Sequence, residues 1–91
     1  MFALVAPPQF LRQARKFFTK HPDLRPAFAT LLEEMQRDPF QPRLGLHALG
    51  GKLHGCHAVR LTRAYRVTVT VLISEKEIHL LDIGSHDDVY R

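Results

Sequence analysis

Hydrophobic positions change their spacing halfway along the chain. Phe10, Leu11, Ala14, Phe17 and Phe18 recur at three- and four-residue intervals, with Arg12, Gln13, Arg15, Lys16 and Lys20 on the other side. That is the pattern of an amphipathic helix with a basic outer face. His21-Pro22-Asp23 breaks it, and Leu24, Phe28, Leu31, Leu32 and Met35 mark a second helix. This one stops before Asp38-Pro39, because a proline disfavours helical backbone at the residue ahead of it. So short a break predicts a tight helical hairpin. From Tyr65 the spacing falls to two. Tyr65, Val67, Val69, Val71 and Ile73 alternate with Arg66, Thr68, Thr70 and Leu72, a β-branched strand pattern.

Shorter strands fit around these elements. Residues 2–6 are apolar and end at Pro7-Pro8. Residues 53–61 read as a strand, with Thr62-Arg63-Ala64 as the turn into the next. Residues 74–77 are a polar hairpin turn, and residues 78–83 are the last strand. Residues 39–52 hold Pro39, Pro42, Gly45, Gly50 and Gly51, and read as a loop. The predicted order is β-α-α-β-β-β. The predicted class is α+β: one small domain over residues 1–91, an antiparallel sheet with the helical hairpin packed on one face and the other face partly open. The aromatic and leucine stripes of the helices are read as core, since so short a chain has little else to build one from.

Charge adds a direction. Thirteen Lys and Arg against nine Asp and Glu give a net +4 with neutral histidines. A positive surface favours polyanions: nucleic acid, acidic lipid or an acidic protein. No apolar run approaches the roughly 20 residues of a membrane span. The first residues lack a basic segment and a long apolar core, so no signal peptide is read there. Cys56 is the one cysteine and cannot form an intramolecular disulfide. The expectation is a cytoplasmic protein with no membrane partner.

Several chemistries lack their residues. There is no phosphate-binding GxxxxGK[ST] loop and no GxGxxG fingerprint. His54 and His57 are three apart, which on a strand places them on opposite faces. With one cysteine and no metal-ligand spacing, neither a metal nor another cofactor is expected. Ser74 and Ser85 have no nucleophile-elbow context. What remains is a set of polar residues in the second half: His47, Lys52, His57, Arg60, Arg63, Tyr65, Arg66, His86, Tyr90 and Arg91. Parity selects among them. Arg66 has the parity opposite to Val67, Val69 and Val71, so valines packed on the helices turn Arg66 to the open face. Arg60 differs in parity from Val59 and Leu61 and can point the same way. His86 follows the last strand.

This set suits RNA cleavage by the substrate's own 2′-hydroxyl, which needs no metal and no protein nucleophile. Histidine moves protons near neutral pH. Arginine offers a forked cation to the phosphate, and tyrosine can stack on a base. Any one of these residues taken alone is read more simply as a solvated charge or a packing group; the convergence of Arg60, Arg66 and His86 carries the reading.

The segments Leu49-Gly50-Gly51, Val59-Arg60-Leu61, Tyr65-Arg66-Val67 and Leu80-Leu81-Asp82-Ile83-Gly84-Ser85-His86-Asp87-Asp88-Val89-Tyr90 resemble the RelE/ParE superfamily of bacterial toxins, most closely its RelE and YafQ branches. The resemblance implies a ribosome-dependent mRNA endonuclease, the toxin of a type II toxin–antitoxin pair. It implies as partners a cognate antitoxin protein, the ribosome and mRNA. It further implies His86 and His47 as active-site histidines, with His86 the proton donor. Arg66 and Arg60 match phosphate-facing basic positions, and Tyr90 matches a C-terminal tyrosine of the site. Lys52, His57, Arg63 and Arg91 are the expected RNA or ribosome contacts. The sequence departs from the pattern at Arg60 and Ala64, where YafQ-like members carry His and Asp, and at Ala58, where RelE carries a lysine. The alternative implied by the same superfamily is a non-catalytic ParE-like inhibitor of DNA gyrase. The basic helix face of Arg12, Arg15, Lys16 and Lys20 has two readings: plain solvation, or contact with rRNA or antitoxin.

Overall fold

The protein is described by a computed structural model over residues 1–85. His86, Tyr90 and Arg91 fall outside the described residues. The first strand, β1, is Ala3–Val5, and the first helix, α1, is Pro8–Lys20. Pro8 opens α1, where its missing N–H costs no helical hydrogen bond and its fixed φ suits the first turn. Phe10, Ala14, Phe17 and Phe18 are buried along one side of it, whereas Leu11, part of the same apolar pattern, stays half exposed. A single 3-10 turn, Pro22–Leu24, joins it to the second helix, α2, Arg25–Arg37. Leu31 and Met35 face inward from α2. The Asp38 N–H closes the last turn on the Glu34 carbonyl, and Pro39 then takes the chain away buried. The helical hairpin is as tight as the spacing predicts.

The remaining strands are β2 (His47–Ala48), β3 (His57–Arg60), β4 (Tyr65–Leu72) and β5 (Glu77–Ser85). They form one five-stranded sheet in the order β1-β5-β4-β3-β2. β3, β4 and β5 are the expected antiparallel meander, and both helices pack on one face of it. Two expectations are corrected. The sheet is mixed rather than wholly antiparallel, because β1 runs parallel to β5, with Leu4 opposite Ile78. A parallel neighbour requires a long connection: α1 and α2 carry the chain to β2 at the far edge of the sheet, and β3, β4 and β5 bring it back to β1. The segment read as a loop also contains a strand: β2 pairs antiparallel with β3, His47 opposite Ala58. β3 itself is shorter than residues 53–61. Gly51–Leu53 is a 3-10 turn, and Gly55 sits at φ +92°, a backbone shape that ends the ladder before His57.

The core lies between the helices and one face of the meander. Val59, Val67, Val69 and Ile78 are fully buried there with Met35, and Leu80 and Ile83 almost so. The ladder between β4 and β5 carries a β-bulge. Val67 pairs with Ile83 and Thr68 with Asp82, but Val69 pairs with Leu80, leaving Leu81 as the extra residue. Ile78 and Leu80 face the core before the bulge, and Ile83 faces it afterwards. In a ladder that paired Leu81 regularly Ile83 would face away from the core, and the bulge that absorbs Leu81 keeps it inward.

Candidate nucleic-acid interface

The register decides which polar residues share the face away from the helices. Residues directly opposite on neighbouring strands lie on one face, with Cβ atoms about 4.5–5.5 Å apart. Arg60 pairs with Arg66, and Arg66 pairs with Gly84. One step along the strands lies a second row: His47, Ala58, Thr68 and Asp82. Arg60, Arg66, His47 and Asp82 therefore occupy one face, as parity predicts for the two arginines. Gly84 puts no side chain beside Arg66.

Arg60, Arg66 and Arg63 of the β3–β4 hairpin line a cavity of about 340 Å³. The Arg66 guanidinium is held in place. Its Nη1 donates to the Thr62 carbonyl at 2.8 Å, the Arg63 carbonyl at 3.2 Å and the Tyr65 carbonyl at 3.3 Å. The hairpin itself is fixed by the Thr62 hydroxyl, which accepts the Ala64 and Tyr65 N–H groups, each at 3.2 Å. Nε and Nη2 of Arg66 make no hydrogen bond among the described residues and remain for a ligand. None of the three arginines is paired with a carboxylate among the described residues. Like charges placed opposite each other on a sheet are destabilising. An anion bound between them removes that cost.

Gly45 ties His47 to this group. It ends the 3-10 turn Pro42–Leu44 in the left-handed region, φ +64°. A methyl group built on Gly45 would lie 3.6 Å from Arg60 Nη2, so the loop backbone runs close beside that guanidinium. The Gly45 carbonyl lies 2.9 Å from His47 Nδ1. A carbonyl can only accept, so Nδ1 carries a proton, and in the neutral ring Nε2 is the basic nitrogen. Thr68, one step from Arg66 on the same strand and face, is 3% exposed, and its hydroxyl has no partner among the described residues.

The other expected residues separate. Arg63 joins the arginine cavity. Lys52 is exposed in the turn Gly51–Leu53, between β2 and β3, and does not line it. His57 does not join: it pairs with Val69, so it shares the helix-covered face, and its Nδ1 is buried without a partner among the described residues. Among the described residues no group of three His, Cys, Asp or Glu could hold a metal ion, and no helix is long and apolar enough to cross a membrane. Sequence reasoning missed Gly45. Its only signal was a glycine two residues before a candidate histidine.

Solved structures share this architecture. YafQ from Escherichia coli strain BL21(DE3) superposes with a TM-score of 0.81 over the whole of both chains, at 12% identity. A copper-bound mutant toxin from Helicobacter pylori gives 0.78 at 21% identity, over 98% of this chain and 99% of that one. This is the RelE-like toxin fold. A YoeB–YefM complex from Staphylococcus aureus matches it too, with a TM-score of 0.73 at 17% identity over 94% of this chain and 98% of that chain. No family model and no curated protein sequence matches the chain. The RelE-like fold thus persists where sequence identity has fallen below a quarter, and it fixes the sheet order that brings Arg60 and Arg66 together.

Proposed function

We propose that this protein is the toxin of a type II toxin–antitoxin pair and acts as a ribosome-dependent mRNA endonuclease. The observation that carries the reading is the arginine cavity: three guanidinium groups with no carboxylate partner among the described residues, next to His47 on the same sheet face. That arrangement suits a phosphodiester with a 2′-hydroxyl beside it. The 2′-oxygen attacks the phosphorus and loses its proton to a base. The 5′-oxygen of the next nucleotide leaves and takes a proton from an acid. The products are a 2′,3′-cyclic phosphate and a free 5′-hydroxyl.

Arg66 is the principal phosphate contact. Because Nη1 is anchored on three carbonyls, its free edge is oriented before substrate arrives, and preorganised charge is where most electrostatic catalysis originates. Arg60 faces it across the strands and shares the phosphorane charge. His47, with its proton held on Nδ1, is the base or a contact to the ribose. His86 is the proton donor and Tyr90 a stacking or positioning group; both lie outside the described residues. Arg63 takes an adjacent phosphate, and Lys52 and Arg91 contact RNA or ribosome; His57 is assigned no role, since its face is turned toward the helices. A cognate antitoxin protein is the expected inhibitor. Its support is the YoeB–YefM complex, a solved case of this fold together with a second protein.

The test is a translation extract in which mRNA 5′ ends are mapped. Wild type yields new ends within translated codons; Arg66→Ala and His86→Ala do not. Absence of new ends with wild type, or undiminished cutting by both variants, overturns the reading. Inhibition of DNA supercoiling by gyrase without any mRNA cutting would instead establish the ParE-like alternative.

A further inference from the structure

A second cavity lies on the other face of the same sheet end. It encloses about 370 Å³ between the C-terminal turn of α1 and the ends of β4 and β5. Lys16, Phe17, Lys20 and His21 line it from the helix, Tyr65 from β4, and Gly84 and Ser85 from β5. The positions 16, 17, 20 and 21 are one helical stripe, so both lysines and both rings face the same space. Three rings form its wall. Tyr65 lies 4.8 Å from His21 and 5.0 Å from Phe17, centroid to centroid, and Phe17 lies 4.7 Å from His21.

Two features distinguish this wall from ordinary core. First, its polar tips are unused among the described residues. Neither the Tyr65 hydroxyl nor the His21 ring nitrogens make a hydrogen bond among the described residues, and both residues are only half buried. A buried tyrosine ordinarily finds a partner for its hydroxyl. Secondly, Lys16 and Lys20 have no carboxylate partner among the described residues. Aromatic faces flanked by unpaired cations are the combination with which proteins hold single-stranded nucleic acid, the rings taking bases and the cations taking phosphates.

The position of the cavity is the third observation. Tyr65 and Arg66 are consecutive on β4 and point to opposite faces; Arg66 Nη1 even donates to the Tyr65 carbonyl. Their partners on β5, Ser85 and Gly84, are consecutive too. The aromatic cavity and the arginine cavity are therefore back to back across one end of the sheet. We propose that the cavity formed by Lys16, Lys20, His21 and Tyr65 binds a nucleotide of single-stranded RNA flanking the one whose phosphate sits among Arg60, Arg63 and Arg66. The base lies against the His21 and Tyr65 rings, and its phosphate meets the two lysines. The strand rounds the β3–β4 hairpin end of the sheet. This rests on RNA being the polyanion of the arginine cavity.

The probe is a fluorescein-labelled single-stranded RNA hexamer, 2′-O-methylated so that it cannot be cut, titrated against the full chain and read by anisotropy. Lys16→Ala/Lys20→Ala removes two exposed cations without touching the core. It is expected to weaken binding about tenfold and to lower the slope of log affinity against log salt by about 1.4, two single-strand phosphate contacts' worth. The control Arg12→Ala/Arg37→Ala makes the same charge change away from the cavity and is expected to shift affinity less than twofold. His21→Ala is expected to weaken binding about fivefold with little change of salt slope, as loss of a stacking surface does. A hexamer carrying 4-thiouridine is expected to crosslink to α1 or Tyr65. The inference is overturned if the lysine pair and His21→Ala both bind like wild type while Arg66→Ala loses affinity, an outcome that leaves the proposed function standing. It is equally overturned if the two double variants weaken binding alike, or if crosslinks map only to other segments. If neither Arg66→Ala nor the cavity variants change affinity, the RNA reading of both cavities fails.

Discussion

The two ends of the β4 strand carry similar numbers of polar residues and treat them in opposite ways. At the β4–β5 hairpin each glutamate has a side-chain partner. The Ser74 hydroxyl donates to Glu75 at 3.0 Å, and His79 lies 3.0 Å from the Glu77 carboxylate. At the β3–β4 hairpin Arg60, Arg63 and Arg66 gather without an ion pair to a carboxylate among the described residues, and the acceptors that hold Arg66 are backbone carbonyls. Both ends rest on the same core, since Ile78 is buried at one and Ile83 at the other. The difference therefore lies in charge alone. A surface under selection only for solubility and stability gains from pairing its charges. Leaving one end unpaired and orienting its guanidinium groups costs stability, and the cost is recovered when an anion binds.

The largest effects should ignore that difference. Ile78→Ala and Ile83→Ala each empty a fully packed site and should cost about 2–5 kcal/mol in urea denaturation; a loss at only one end would mean that the two ends do not share a core. Next, Arg66→Ala should leave the unfolding free energy within about 1 kcal/mol of wild type while lowering mRNA cutting about 10²–10³-fold, the usual consequence of removing one preorganised charge stabiliser. A parallel fall in stability would make Arg66 a structural residue. Arg63→Glu puts a carboxylate among the unpaired cations. It should raise stability by about 0.2–1 kcal/mol, as exposed ion pairs do, while weakening RNA binding severalfold. Smallest of all, Glu77→Gln at the β4–β5 hairpin should change stability by less than about 0.5 kcal/mol and cutting not at all. A marked loss of cutting there would erase the contrast between the ends.

Much of this was legible in the sequence. The change from helical to strand spacing predicts both helices, their hairpin and the meander. The alternation from Tyr65 to Ile73 puts Arg66 opposite the valines, and the parity of Val59 brings Arg60 to the same side. Parity could not show that the two arginines are directly opposite, because register depends on the length and shape of the hairpin between them. The strand at His47–Ala48 was hidden because two residues carry no periodicity; it forms because β3 offers an edge. The parallel pairing of β1 leaves no local trace, being set by where the helices return the chain. Phe17, His21 and Tyr65 were visible as helix, breaker and strand residues, but their convergence is a product of packing. His57 shows the opposite error: its residue type suited the chemistry, and its parity, which opposes that of Arg60, already placed it on the other face.

The extra residue Leu81 shifts the odd–even count of everything after it. Ahead of it, the even-numbered residues Ile78 and Leu80 point inward; behind it, the odd-numbered Ile83 does, and Asp82 and Gly84 are turned to the arginine side. Excising Leu81 would shorten the chain by one residue and leave every cross-strand pair in place, with Leu80 opposite Val69, Asp82 opposite Thr68 and Ile83 opposite Val67. The alternation would then run unbroken, Ile83 still inward and Asp82 still on the arginine side. The fold can thus lose a residue at the bulge without turning the strand's end over.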